Sequence, residues 1–133
     1  MKISTKGRYA LKVMIELAKS EEEDQFISVR DLAKRQGISI KYLEQIISLL
    51  NKAGYLSVLR GASGGYKLLK KPEEYYIGDI LKATEGELSP TYCLTAQGKC
   101  SSKSTCETYA FWEGLDEVVN EYVNSKTLAD LIK

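Results

Sequence analysis

Histidine is missing altogether from this 133-residue sequence. Its absence removes the usual general base and the commonest metal ligand, which weakens the case for a hydrolase or a conventional zinc enzyme. Apolar residues nowhere run to the eighteen or so that a membrane span needs. The opening stretch MKISTKGRYALKVM is polar, basic and amphipathic, without the apolar block or cleavage site of a secretory signal. A cytoplasmic protein with no membrane partner is expected. Cysteine is scarce and odd in number, and all three crowd into the stretch from Cys93 to Cys106, which argues against a disulfide scaffold. Internal repeats, low-complexity segments and paired carboxylates at a recognisable catalytic spacing are also lacking. No enzymatic activity is expected.

What is present suits one globular domain with a modest core: 44% of residues are hydrophobic and 28% charged, unlike a disordered chain. The net charge of +1 conceals a division. Residues 1–71 hold fourteen Lys and Arg against seven Asp and Glu, a net +7, whereas residues 72–133 hold five against eleven, a net −6. Such asymmetry fits one module that faces a polyanion and another that faces elsewhere, because Lys and Arg neutralising phosphates supply most non-specific DNA affinity.

Hydrophobic spacing locates the elements. Ala10, Val13, Met14 and Leu17 form the stripe of a first helix capped by Ser4 or Thr5, and the acidic run Glu21 to Asp24 follows as a linker. Ser28 caps a short helix carrying Val29, Leu32 and Ala33, which Gly37 stops. Ser39 caps a longer helix that buries Leu43, Ile46, Ile47 and Leu50, and Gly54 closes it. A short helix, a glycine turn and a second capped helix form the layout of a helix-turn-helix. Two strand-like runs, Tyr55 to Arg60 and Tyr66 to Lys70, flank a flexible tip at Gly61-Ala62-Ser63-Gly64-Gly65 and make a β-hairpin in the position of a wing. No Gly-Lys-Ser or Gly-Lys-Thr follows these glycines, and they lead into a strand, so they are not a nucleotide loop. Beyond Pro72 a helix is expected from Ile77 to Thr84, then a cysteine-bearing loop of about twenty residues. A long helix begins near Thr105, with Phe111, Trp112, Leu115, Val118, Val119, Tyr122 and Val123 forming a stripe too broad for one side of a small domain. Half of that stripe calls for a partner, most simply a second copy across a two-fold axis. Thr127 caps a last turn.

Two constellations carry chemistry. Lys41, Glu44, Gln45 and Ser48, with Ser39 at the start, offer base-reading groups opposite Leu43 and Ile47. With Tyr42 on the helix and Arg60, Gly61 and Ser63 on the hairpin, they form the candidate DNA-contacting set. Cys93, Cys100 and Cys106 are soft thiolate donors on a loop, suited to an iron-sulfur cluster, with zinc or a redox thiol switch as alternatives.

The stretches MKISTKGRYALKVMIELA, QGISIKYLEQIISLL, LRGASGGYKL, ATEGELSP, the three cysteines, AFWEGLDEVVNEYV and TLADLI resemble the IscR-type iron-sulfur regulators along the whole chain. That superfamily also contains NsrR, a nitric-oxide sensor, and CymR, a regulator of cysteine metabolism without the cysteine triad. The resemblance implies a fold that is mainly α with a small β-hairpin wing. A winged helix-turn-helix DNA-binding domain would occupy residues 1–72, and a sensor loop with a long dimerisation helix residues 73–133. It further implies a homodimeric repressor or dual regulator that binds palindromic double-stranded DNA and controls cluster-assembly or sulfur and cysteine genes. A 2Fe-2S cluster is expected ahead of a 4Fe-4S one, held by Cys93, Cys100 and Cys106. Lys41, Glu44 and Gln45 would read bases and Arg60 would make the wing contact. The pattern's histidine three residues past the last cysteine is Tyr109 here, and where other members place an acidic residue in the first helix this chain reads Lys6, Gly7, Arg8. The fourth ligand stays open, with Glu107 and Tyr109 as candidates. A thiol-based switch or protein-interaction module without a cluster is the alternative function.

Overall fold

The computed structural model of the protein describes residues 2–20, 25–95, 98 and 102–132. Serine caps start the first three helices. The Ser4 hydroxyl accepts the Gly7 N–H at 3.1 Å to open α1 (Thr5–Lys19), Ser28 accepts Asp31 N–H to open α2 (Val29–Gln36), and Ser39 accepts Tyr42 N–H to open α3 (Ile40–Lys52). Each cap satisfies a backbone donor that the first turn leaves free. The acidic stretch Glu21 to Asp24 lies outside the described residues.

Gly37, at φ 67°, ends α2 in the left-handed region. Its N–H returns to the Lys34 carbonyl and that of Ile38 to the Ala33 carbonyl, the paired bonds of a glycine helix stop. Helix α3 ends the same way, with Gly54 at φ 81° bonding to Asn51 and Tyr55 bonding to Leu50.

Strands β1 (Leu56–Leu59) and β2 (Gly65–Leu68) pair antiparallel, Leu56 opposite Leu68 and Leu59 opposite Gly65. Ile27 pairs with Tyr66 on the other edge of β2, through bonds of 2.9 and 2.8 Å. Both strands are shorter than the hydrophobic pattern suggests, for a local reason. Tyr55 N–H is committed to the α3 stop, Lys70 N–H goes to the Tyr75 hydroxyl, and Leu69 N–H is shared between that hydroxyl and the Tyr55 carbonyl. The expected flexible tip is also shorter. Gly65 is buried inside β2 with the Ile27 backbone against its Cα, so its missing side chain serves close packing.

A 3-10 turn at Pro72–Glu74 leads into α4 (Ile77–Glu85), which buries Ile77, Ile80 and Leu81. Helix α5 (Tyr109–Ser125) starts later than Thr105 because Thr105 N–H closes a turn onto Ser102, and the first bond that leads into the helix runs from Tyr109 to Cys106. It packs on α4, where Gly78 leaves room for Val123 and Asn124. At the start of α6 (Leu128–Leu131) the Thr127 hydroxyl accepts the Asp130 N–H and the Asp130 carboxylate accepts the Thr127 N–H; the helix returns to α1. The buried core runs as one cluster from Ala10, Val13 and Met14 through Leu43, Ile46 and Leu50 to Ile80 and Leu128. Among the described residues no helix is long and apolar enough to cross a membrane.

Candidate nucleic-acid interface and cysteine loop

Helix α3 divides cleanly. Leu43, Ile46, Ile47 and Leu50 are buried, while Lys41, Glu44, Gln45 and Ser48 are exposed. The exposed four line a shallow depression together with Lys6 of α1. A second depression lies between the start of α2, α3 and the hairpin, and its lining includes Ser28, Glu44, Asn51 and Arg60. Glu44 belongs to both, so the α3 face and the hairpin form one continuous surface. Arg60, Gly61 and Ser63 are exposed at the hairpin tip. Gly61 sits at φ 111°, a conformation side chains disfavour, and its carbonyl accepts Gly64 N–H at 3.1 Å.

Two of the sequence candidates have additional duties. The Ser39 hydroxyl accepts the Tyr42 N–H as the α3 cap. Tyr42 is half-buried, its ring edge-on to Tyr9 of α1 with centroids 6.2 Å apart and planes at 84°. Lys6 and Asn51 join the surface without having been singled out by sequence. Lys6 reaches it because α1 crosses α3, a tertiary fact with no periodic signature, whereas Asn51 could have been found as the next turn of the Glu44 and Ser48 stripe.

Two further contacts hold the frame. The Glu85 carboxylate at the end of α4 accepts Ser4 N–H at 3.0 Å and also bonds the Ser4 hydroxyl, in space that Gly7 leaves by lacking a side chain. Tyr75 is buried. Its hydroxyl donates to the Tyr55 carbonyl at 2.7 Å and accepts Leu69 N–H at 3.0 Å and Lys70 N–H at 2.9 Å, and its ring meets Tyr55 edge-on at 5.7 Å. Burial, with the charge of Asp79 second, pushes the Tyr55 phenol pKa up.

The cysteine loop begins beside this frame. Leu88 is buried, and its carbonyl accepts the Asn120 side-chain N–H of α5 at 3.4 Å. Cys93 sits half-buried on the 3-10 turn Tyr92–Leu94, its sulfur 3.1 Å from the Thr91 hydroxyl. Gly98 packs on the Tyr92 and Cys93 backbone with no room for a side chain. Cys106 is exposed just before α5. Hydrogen bonding from the Thr108 hydroxyl, then from the Thr108 backbone N–H, holds the Cys106 thiol below its ordinary pKa. Both described cysteines are free thiols, soft donors of the kind an iron-sulfur group takes. Cys100 lies outside the described residues. Of the fourth-ligand candidates, Glu107 is exposed and Tyr109 is half-buried, with the Lys103 ammonium 5.1 Å from its ring centre. Among the described residues no three His, Cys, Asp or Glu side chains gather as a metal site.

The model of the Rrf2 family, described as an iron-dependent transcriptional regulator, matches residues 3–133. The chain belongs to the Rrf2 family. It is 38% identical to protein rrf2 of Nitratidesulfovibrio vulgaris Hildenborough over 133 residues, which is 100% of this chain and 88% of that one. Among solved structures it resembles CymR, the global cysteine regulator of B. subtilis, at 39% identity and a TM-score of 0.79, over 98% of this chain and 95% of that one. It also resembles T. potens IscR at 37% identity and a TM-score of 0.77, over 98% and 85% of the two chains. As a member of that family, with a two-strand hairpin following α3, the chain is a winged-helix transcriptional regulator and not an enzyme.

Proposed function

We propose that the protein binds palindromic double-stranded DNA as a homodimer and adjusts that binding to the state of its cysteine loop. Residues 1–72 read the operator, and residues 73–133 sense and dimerise. The observation that carries this reading is the continuous surface formed through Glu44. Lys41, Glu44, Gln45 and Ser48 present donors and acceptors suited to a major groove, and Arg60, Gly61 and Ser63 reach from the same surface toward the flanking backbone or minor groove.

Dimerisation rests on α5. Phe111, Val118 and Tyr122 are 67%, 62% and 64% exposed and, with half-buried Leu115, recur at the alternating four and three spacing of a coiled-coil seam. A second copy of α5 is the simplest cover for such a stripe, and it would present α3 twice, matching a two-fold operator.

Cys93, Cys100 and Cys106 would hold an iron-sulfur cluster, with Glu107 or Tyr109 as candidates for the fourth position. Such a cluster supplies one-electron redox chemistry and sensitivity to iron and sulfide supply. The residues' own part is to order the loop between the Leu88 anchor on α5 and the first turn of that helix. A cluster held by three thiolates and a weak fourth ligand would be lost readily, so occupancy follows supply. This favours control of cluster-assembly or sulfur genes. A thiol switch is the second reading, favoured by the exposed Cys106 and its lowered pKa.

The test has two arms. Anaerobic reconstitution should give visible absorption with near-stoichiometric iron and sulfide that Cys100→Ser abolishes; a colourless, iron-free protein whose thiols titrate away with peroxide would instead favour the switch. In DNA binding, Lys41→Ala and Arg60→Ala should lower affinity and flatten the salt dependence, while Glu44→Ala should relax sequence preference. Equal binding of every duplex by the wild type would end the claim of specific recognition.

A further inference from the structure

Tyr75 occupies a position that neither DNA contact nor cysteine chemistry explains. Its side chain and its backbone bond to two different segments of the chain. The hydroxyl takes the Tyr55 carbonyl and the Leu69 and Lys70 N–H groups, which are the two roots of the hairpin. The backbone carbonyl of the same residue accepts Leu128 N–H at 2.9 Å, and Ile77 N–H, two residues on, donates to the Lys126 carbonyl at 2.8 Å. Lys126 to Leu128 is the link that leaves the end of α5 for α6. The bridge between Tyr76 and Thr127 lies between these two bonds. One short segment therefore zips the far end of α5 to the base of the hairpin.

A hairpin of two four-residue strands has little stability of its own, so its tilt relative to α3 follows what holds it: the Ile27 segment along β2 and the Tyr75 hydroxyl at its roots. From this geometry we infer that Tyr75 is a positioning residue for the Arg60 wing contact, setting the hairpin's angle against α3 from a base shared with the end of α5. The inference rests on the proposed wing contact, and deepens it by making that contact depend on a hydroxyl that never touches DNA. Buried at the hairpin base, Tyr75 acts on DNA only through the wing. Lys41 on α3 owes nothing to this hydroxyl and provides an internal reference.

The test is a double-substitution cycle in the full-length protein on operator DNA, at a temperature where every variant is folded by circular dichroism. Arg60→Ala should weaken binding about tenfold in the wild-type background. Tyr75→Phe should itself weaken binding about threefold to tenfold and shrink the further effect of Arg60→Ala to less than about threefold, while the effect of Lys41→Ala stays unchanged. Tyr55→Phe, which removes the neighbouring hydroxyl of the same ring pair, should leave all three effects in place. Undiminished loss from Arg60→Ala in the Tyr75→Phe background would overturn the inference while leaving the wing contact standing. No loss from Arg60→Ala in the wild type would remove the wing contact, and this inference with it. A wild-type measurement covers the case in which Tyr75→Phe does not fold. The Lys70 amide, bonded to the Tyr75 hydroxyl, should exchange with deuterium as slowly as the Tyr66 amide that bonds the Ile27 carbonyl, and free exchange at Lys70 would refute the grip.

Discussion

Adding a single methyl group at Gly65 should unseat the hairpin from the rest of the domain. Gly65 does not occupy the left-handed region, so alanine meets no backbone objection there and the whole effect is steric. An ideal Cβ would lie 2.7 Å from Ser28 N, and closer still to the Ile27 carbonyl. These are backbone atoms and cannot swing aside. Either the Ile27 segment retreats and loses its two bonds to Tyr66, worth about 0.5–1.5 kcal/mol each, or the strand is strained at about 1–3 kcal/mol, the usual cost of overpacking. The two routes relieve the same clash and do not add, so about 2–3 kcal/mol is expected. With an unfolding entropy of about 2.1 cal/mol/K per residue across 133 residues, each kcal/mol moves Tm by about 4 °C, so Gly65→Ala should melt roughly 7–11 °C below wild type by calorimetry. Gly114→Ala is the contrasting control. Nothing lies within 4 Å of that position on α5, and alanine there should raise Tm by a few degrees through helix propensity of about 1 kcal/mol. A Gly65→Ala protein melting within about 2 °C of wild type would refute the packing argument.

Leu43→Ala should cost about 2–5 kcal/mol in chemical denaturation, since Leu43 is completely buried behind the proposed reading face; a smaller loss would mean that α3 is loosely seated. Phe111→Glu combined with Val118→Glu should give a folded monomer by analytical ultracentrifugation, whereas an unchanged sedimentation coefficient would exclude the α5 seam. The Asp130 carboxyl is held below the ordinary carboxylate range, chiefly by the Thr127 N–H. A depressed folded-state pKa adds stability above the unfolded value and loses it as pH falls through the folded one. Asp130→Asn should therefore flatten the decline in stability below about pH 4, and an acid-unfolding curve identical to wild type would refute that role.

Much of the architecture is legible in the chain itself because its signals are local. Ser4, Ser28 and Ser39 precede apolar stripes and cap them; Gly37 and Gly54 follow stripes and stop them. The exposed face of α3, proposed to read DNA, is legible for the same reason, since burying Leu43 and Ile47 obliges Glu44 and Ser48 to face out. What escapes the sequence is contact between distant segments. Gly65 reads as loop freedom but serves the approach of Ile27. Tyr75 reads as an ordinary aromatic beside Tyr76, and nothing in its neighbourhood announces that its hydroxyl closes the base of the wing. Glu85 at the Ser4 cap and Lys6 beside Lys41 are invisible for the same reason. The start of α5 is misjudged by four residues because the Ser102 to Thr105 turn contains no glycine or proline to mark it.

The placement of Leu128 has a thermodynamic corollary. This side chain, five residues from the end of the chain, is as deeply enclosed as Val13 or Ile46 and belongs to the same apolar cluster. The half proposed to read DNA thus borrows part of its interior from the half proposed to sense. Excised alone, residues 1–72 would expose the surfaces of α1 and α3 that α4 and α6 cover. The two halves should unfold together in a single cooperative transition, so an event that loosens one is registered energetically by the other without any dedicated messenger between them.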